Sequence, residues 1–218
     1  MIKKIKRGNF AVYLILTIGS VIMIFPFVWM IMTSFKTVPE TTLIPPTLFP
    51  ESFSNLAAYK QVTASLPFVK LYFNTIMMII IRVICAIVFS SMAAYAFAKV
   101  NFPLKNLFFM LVLSQLMFPA QVFILPQYEL ISAMRQTDTI FALVFPALVS
   151  AFGTFFLRQT YMGIPDDLLD ASRIDGCNHF GSFVRIAFPL TKTAMAALAV
   201  FTALFAYGDL MWPLIVNT

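Results

Sequence analysis

The chain has 218 residues, of which 61% are hydrophobic and only 11% charged, with 25 Phe and a mean hydropathy of +0.89. Soluble globular chains carry roughly a quarter charged residues, so this composition excludes a soluble domain and marks a polytopic membrane protein. The net charge of +6 and the pI near 9.4 do not point to nucleic acid, because the Lys and Arg residues lie scattered at the ends of apolar runs and form no basic stripe.

A hydrocarbon core of ~30 Å needs about 20 helical residues at ~1.5 Å each. Five stretches meet this, predicting an all-α fold with spans at about 10–33, 70–97, 106–128, 139–158 and 193–216. The first follows Lys3, Lys4, Lys6 and Arg7. Its apolar run exceeds the ~7–15 residues of a signal peptide, and no small-x-small cleavage site ends it before Pro26, so an uncleaved span is expected. The segment 38–67, with Pro39, Pro45, Pro46, Pro50 and Pro67, is expected to be an ordered but irregular extracytoplasmic loop, since proline fixes φ and removes a donor. The second span carries Arg82 near its middle and closes in Ser90, Ser91, Ala93, Ala94, Ala96 and Ala98, small residues that let helices approach closely in lipid. Pro119 and Pro126 interrupt the third span and Pro146 the fourth. Such breaks survive in lipid where neighbouring helices or a cavity satisfy the freed carbonyls. The fifth span contains Asp209.

Cytoplasmic loops are enriched in Lys and Arg. With the N-terminus inside, that face collects Lys3, Lys4, Lys6, Arg7, Lys99, Lys105, Arg158, Arg173, Arg185 and Lys192, against Lys36, Lys60, Lys70 and Arg135 outside. The polar segment 162–190 is then cytoplasmic. Cys85 falls within a span and Cys177 in this loop, so no disulfide is expected.

The loop has readable fine structure. Pro165 suits the first turn of a helix, where Asp166 and Asp167 complement the positive helix end. Leu168, Ala171 and Ser172 are expected to share one face. Gly176 supplies a positive-φ break, Asn178 caps a second helix, and Phe180, Phe183, Val184 and Ala187 recur at i, i+3, i+4, i+7 as its anchor. Pro189 is expected to end it. Two uses compete: insertion of the first helix into a partner's groove, or an amphipathic helix resting on lipid headgroups. Asp166, Asp167, Asp170 and Asp175 would be repelled by an anionic inner leaflet, which favours the protein partner.

The run Asp170-Ala171-Ser172-Arg173-Ile174-Asp175-Gly176, then nine residues, then Ile186-Ala187-Phe188-Pro189, resembles the EAA loop of ABC-importer permeases, E-A-A-x-x-D-G, nine residues, I-x-L-P. Asp170 replaces Glu, Ser172 the second Ala and Phe188 the Leu. The D-G ending resembles the carbohydrate importers more than the amino-acid and peptide permeases. Ser34-Phe35-Lys36-Thr37, Phe73-Asn74-Thr75, Ala93-Ala94-Tyr95-Ala96-Phe97-Ala98-Lys99 and Tyr207-Gly208-Asp209-Leu210-Met211-Trp212-Pro213-Leu214 are similar to segments of the smaller permease of the maltose-type pair. The resemblance implies a type I ABC-importer permease fold in the bacterial inner membrane. It also implies a cytosolic ABC ATPase dimer, a second homologous permease and an extracytoplasmic sugar-binding protein as partners. Pro165, Leu168, Asp170, Ala171, Ser172, Asp175, Gly176, Phe183, Ile186 and Pro189 would then form the ATPase-coupling site. Such permeases usually have six spans and a C-terminal tail, so the resemblance implies C-terminal truncation here.

A charge within a span is by default a functional candidate. Arg82 either lines a substrate pathway or clamps helix-end carbonyls or Asp209. Asp209 has the same two readings, and Tyr207 and Trp212 are candidates to stack on a sugar face or to anchor at the interface. His179 lacks partners at metal-ligand spacing, so no metal site is expected. No G-x-x-x-x-G-K-S/T occurs, so ATP and Mg are expected on the partner ATPase and no cofactor on this chain. A secondary transporter would show ionisable relays and repeats, and a membrane-embedded enzyme a nucleophile with its base or a metal cluster. The sequence presents neither.

Overall fold

The computed structural model describes residues 10–217, so Lys3, Lys4, Lys6 and Arg7, on which part of the orientation argument rests, lie outside the described residues. The chain divides between Val69 and Lys70 into two compact units. Among the described residues every regular element is helical.

In the first unit, helix α1 (Phe10–Ser34) is apolar enough to cross a membrane by itself. The four residues that leave it organise the loop beyond. Ser34 Oγ lies 2.7 Å from the Tyr59 hydroxyl, and the Phe35 ring packs between Phe53 and Tyr59 at 5.9 and 6.0 Å. Lys36 Nζ donates to the Thr47 carbonyl and sits 5.1 Å over the Trp29 ring. Thr37 caps α2 (Val38–Thr41) in a capping box with Glu40, and Glu40 Oε1 accepts from the Glu51 N–H at 2.8 Å. The backbone N–H groups of Thr37 and Glu51 hold the Glu40 carboxyl below its ordinary range, because they bind its charged form. The loop expected to be irregular thus contains two short helices, α2 and α3 (Ala57–Ser65).

The second unit is built on α4 (Phe68–Lys99). The third apolar stretch is an elbow and not one straight span: α5 (Lys105–Gln115) is followed by a 3-10 turn (Ala120–Phe123) and α6 (Ile124–Ala133), bent by 98°. Pro119 has no N–H to give the Gln115 carbonyl, whereas Pro126 falls in the first turn of α6, where no intrahelical bond is lost. Next come α7 (Ile140–Val144), a 3-10 turn (Phe145–Ala147) and α8 (Ala151–Met162), with a 48° bend at the break between Ala147 and Ala151. Ser150 restarts the helix, its Oγ accepting from the Gly153 N–H at 2.9 Å. By length and composition α1 and α4 each suffice to cross a membrane, and three bent pairs bring the number to five when each is counted as one span.

Two apolar clusters hold this unit. One joins Ala94 and Tyr95 of α4 to Leu157 and Tyr161 of α8 and to Met195 and Leu198 of the later helix α12 (Lys192–Gly208). The other gathers Met78, Ile131, Leu143, Ala206 and Trp212. The small residues of α4 permit the tightest approach. Ser90 is fully buried and donates to the Ser150 carbonyl at 3.3 Å, and a Cβ at Gly153 would lie 2.7 Å from Ser90 Oγ and 3.1 Å from the Leu198 side chain. Gly153→Val is therefore predicted to force the helices apart at a cost of about 1–3 kcal/mol. Thermal unfolding of the purified protein in detergent should show a lowered transition; an unchanged one would contradict this contact.

Candidate coupling loop and membrane cleft

The loop begins with α9 (Asp166–Ile174), and Pro165 sits just before the first helical residue with extended backbone. The turn at Gly176, φ +85°, closes α9 in a Schellman arrangement: the Cys177 N–H bonds the Ser172 carbonyl at 2.9 Å and the Gly176 N–H the Arg173 carbonyl at 3.0 Å. A Cβ at Gly176 would meet nothing within 4 Å, so the demand for glycine comes from the backbone angle. Asn178 Oδ1 accepts from the Gly181 N–H at 2.8 Å and starts α10 (His179–Ser182). Both sides of the corner are therefore capped.

Beyond α10 the chain widens into a π turn (Phe183–Ala187) and continues as α11 (Phe188–Leu190). Pro189 lies inside α11 and does not end the helix. Its missing N–H falls where the π turn has already changed the bonding, with the Phe188 N–H donating to the Phe183 carbonyl. The break comes at Thr191, where α12 leaves at 76°.

Burial corrects two expected faces. Ser172 is 4% exposed and its Oγ meets Ser182 Oγ at 2.6 Å, so it ties the two loop helices together. The outward face is Leu168, Ala171, Ile174 and Asp175, while Leu169 faces the core. On the second helix only Phe183 and Ala187 of the four periodic residues are buried, with Ile186 partly so; Phe180 is 61% exposed and Val184 exposed. The core covers one edge of that apolar stripe and leaves the other edge outside. Phe183 is the hub, at 5.2 Å from the Tyr95 ring, 6.4 Å from Tyr161 and 5.7 Å from Phe188. Asp170 pairs with Arg173 at 2.7 Å.

Lys99, the last residue of α4, grips the start of α9. Its Nζ lies 2.6 Å from Asp166 Oδ1 and 2.6 Å from the Ile164 carbonyl. The hydrogen bond from Lys99, with its charge, holds the Asp166 carboxyl below the ordinary value. This tether is complete above the usual aspartate range and is lost only as pH falls through the lowered value.

Within the membrane segments, Pro146 cannot supply the N–H that the Ala142 carbonyl would receive in a continuous helix. The Trp212 indole N–H occupies that carbonyl at 2.9 Å. Arg82 Nε and Nη2 both donate to the neighbouring Leu143 carbonyl, and Nη1 meets Asp209 Oδ2 at 2.9 Å. Asp209 Oδ1 in turn accepts from the Trp212 backbone N–H at 3.4 Å, in the first turn of α13 (Met211–Val216). Arg82, Asp209 and Trp212 are brought together as one lock. Trp212, 5% exposed, has no face free for stacking, and Tyr207 is 77% exposed and does not line the cleft beside them.

That cleft has a volume of about 710 Å³ and is walled by Arg82, Asp209 and Trp212 together with Gln115, Gln121, Gln127, Ser150 and Thr202 and by phenylalanines. The glutamines were not singled out in the sequence. Their visible signal is polar residues on both sides of Pro119 in an apolar run.

A family model for the inner membrane component of binding-protein-dependent transport systems matches residues 86–218. The chain belongs to this family. The permease is 37% identical over 177 residues to the sn-glycerol-3-phosphate transport system permease protein UgpE of Shigella flexneri serotype 5b, covering 81% of this chain and 63% of that one. It is 36% identical over 210 residues to the arabinooligosaccharides transport system permease protein AraQ of Halalkalibacterium halodurans, covering 93% of this chain and 75% of that one. Its fold matches a chain of a bacterial ABC transporter involved in the import of the acidic polysaccharide alginate, with TM-score 0.83 and 19% identity, over 99% of this chain and 78% of that chain. The permease thus spans just under two thirds of the UgpE length and is a multi-pass membrane protein.

The lock predicts an asymmetry. Arg82→Leu removes the donors for a buried carbonyl and leaves Asp209 without its partner, and is expected to cost about 3–5 kcal/mol. Asp209→Asn keeps a hydrogen-bond acceptor and the Leu143 contact but removes the counter-charge of the buried guanidinium, and is expected to cost less, about 2 kcal/mol. Unfolding of both variants in detergent checks the order; equal losses would contradict it.

Proposed function

We propose that this permease is the smaller membrane subunit of a carbohydrate ABC importer in the bacterial inner membrane, with its N-terminus cytoplasmic. It forms the translocation path with a second homologous permease. A cytosolic ABC ATPase dimer docks on the loop, and an extracytoplasmic binding protein delivers the sugar. The relatives named above support carbohydrate cargo over amino acids or peptides. ATP and Mg belong to the partner ATPase, and this chain carries out no chemistry of its own.

The observation that carries this reading is the two-sided loop. Its outer side offers Leu168, Ala171 and Ile174, a small apolar face suited to a partner's groove. Its inner side is fixed by Leu169, Phe183 and Ala187 to α4, α8 and α12 and by Lys99 to Asp166. Closure of the ATPase pair would move α9, and the anchored contacts would carry that displacement into three membrane helices. The capped corner at Gly176 keeps α9 and the second loop helix from hinging independently.

Gly176→Val places a β-branched residue at positive φ, a strained conformation. Co-expressed with its ATPase and second permease, the variant is expected to insert at normal levels and lose at least tenfold in sugar uptake. Gly176→Asn, which tolerates that backbone region, should retain most of it. Wild-type uptake by the valine variant would refute the mechanism.

A further inference from the structure

We infer that the cleft beside Arg82 is a subsite for an uncharged polyhydroxyl ligand, a neutral sugar or short neutral oligosaccharide, held by the side-chain amides of Gln115, Gln121 and Gln127 and closed to anionic sugars. The inference rests on the proposal that this chain is a sugar-importer permease and adds the ligand class and the residues that select it. Its volume of about 710 Å³ falls in the range of small-molecule sites, which are mostly apolar with a few placed polar groups.

The elbow between α5 and α6 makes the subsite. Gln115 is the last residue of α5, Gln121 lies in the 3-10 turn, and Gln127 is in the second turn of α6. The 98° bend brings residues from three successive pieces of chain onto one wall. Each amide offers two N–H donors and one carbonyl acceptor, the match for hydroxyl groups that both give and accept. Among the described residues none of the three side chains makes a hydrogen bond within the protein, so their capacity is unspent. Phe118, Phe123 and Phe152, which also line the cleft, provide apolar surface for the C–H faces of a sugar ring.

Charge decides the ligand class. The ionisable residues among those lining the cleft are Arg82 and Asp209, which neutralise each other at 2.9 Å. Arg82 is committed to the Leu143 carbonyl and to Asp209, and its side chain is 6% exposed against 26% for Asp209. The partner that a ligand meets is therefore the carboxylate. A phosphate or uronate would find no unpaired cation and would lie near a negative charge, which repels it.

The test is uptake into proteoliposomes holding the ATPase-containing assembly of this permease, with its binding protein. The probes are arabinotriose, xylotriose and maltotriose against trigalacturonate and glycerol 3-phosphate. At least one neutral trisaccharide is expected to enter tenfold faster than either anion. Gln115→Leu and Gln127→Leu should each lower that uptake fivefold or more while basal ATP hydrolysis and melting temperature stay unchanged. Gln121→Lys, which adds an unpaired cation, should narrow the neutral-over-anionic ratio at least threefold. Uptake of an anion at or above the neutral rate overturns the inference, as do glutamine variants with wild-type uptake, or an ATP-hydrolysing assembly that imports no neutral probe. Failure of the underlying reading looks different: the chain assembles with no ATPase, and the subsite falls with it.

Discussion

A backbone carbonyl released inside a membrane segment must find another donor, because hydrocarbon offers none. The permease breaks its segments at Pro119, at Pro146 and at Asp209, and its architecture follows from how the freed groups are satisfied. At Pro146 the solution joins four elements. Trp212 from α13 takes the Ala142 carbonyl, Arg82 from α4 takes the Leu143 carbonyl, and Asp209 at the end of α12 balances the guanidinium. A continuous α7 to α8 helix would leave the Trp212 indole without its acceptor and Arg82 with Asp209 as its one partner. Break and lock presuppose each other.

The loop obeys a different constraint. A segment of two short helices is too short to be stable by propensity, so its shape is imposed by contacts at both ends of each helix and along one side. The Schellman turn at Gly176, the Asn178 cap and the Ser172–Ser182 contact fix the corner. Phe183, packed on Tyr95 and Tyr161, fixes the corner to the bundle. What remains outside is a face whose side chains make little use of the protein's own core. A surface held stiffly from behind and left uncovered in front is suited to receive a force, whereas a loop anchored only at its termini would absorb one.

The corner was legible in the sequence because glycine, asparagine and proline have local conformational meaning: Gly176 has the positive φ and Asn178 the cap that their residue types announce. The facing of the helices was less legible. Helical spacing identifies an apolar stripe but not which edge of it the tertiary core will cover, so Phe180 and Val184 look like anchors and Ser172 looks like surface, and burial reverses each. The choice between clamp and pathway for Arg82 could not be made from sequence, since it depends on a carbonyl 61 residues away whose helical partner is lost where α7 gives way to the 3-10 turn Phe145–Ala147. Gln115, Gln121 and Gln127 escaped notice because their common wall is created by the bend.

The lock also bears on what the cleft can do. Burying an ion pair rarely adds net stability, since desolvation offsets most of the Coulomb attraction. The Arg82–Asp209 pair is better understood by what it prevents. Arg82 alone would make the cleft cationic and would attract anions; Asp209 alone would repel them and draw cations. Paired, with the guanidinium turned to backbone and the carboxylate left partly open, they hold three helices in register and leave the wall near neutral. On the proposed reading, recognition would pass to the amides and aromatic rings, which suit hydroxyl-rich surfaces through many weak contacts. In the translocation path proposed for this chain that would be an advantage of kind, because a ligand held by weak contacts can leave as well as enter, and a ligand held by a buried unpaired charge would have to break a strong interaction at every turnover.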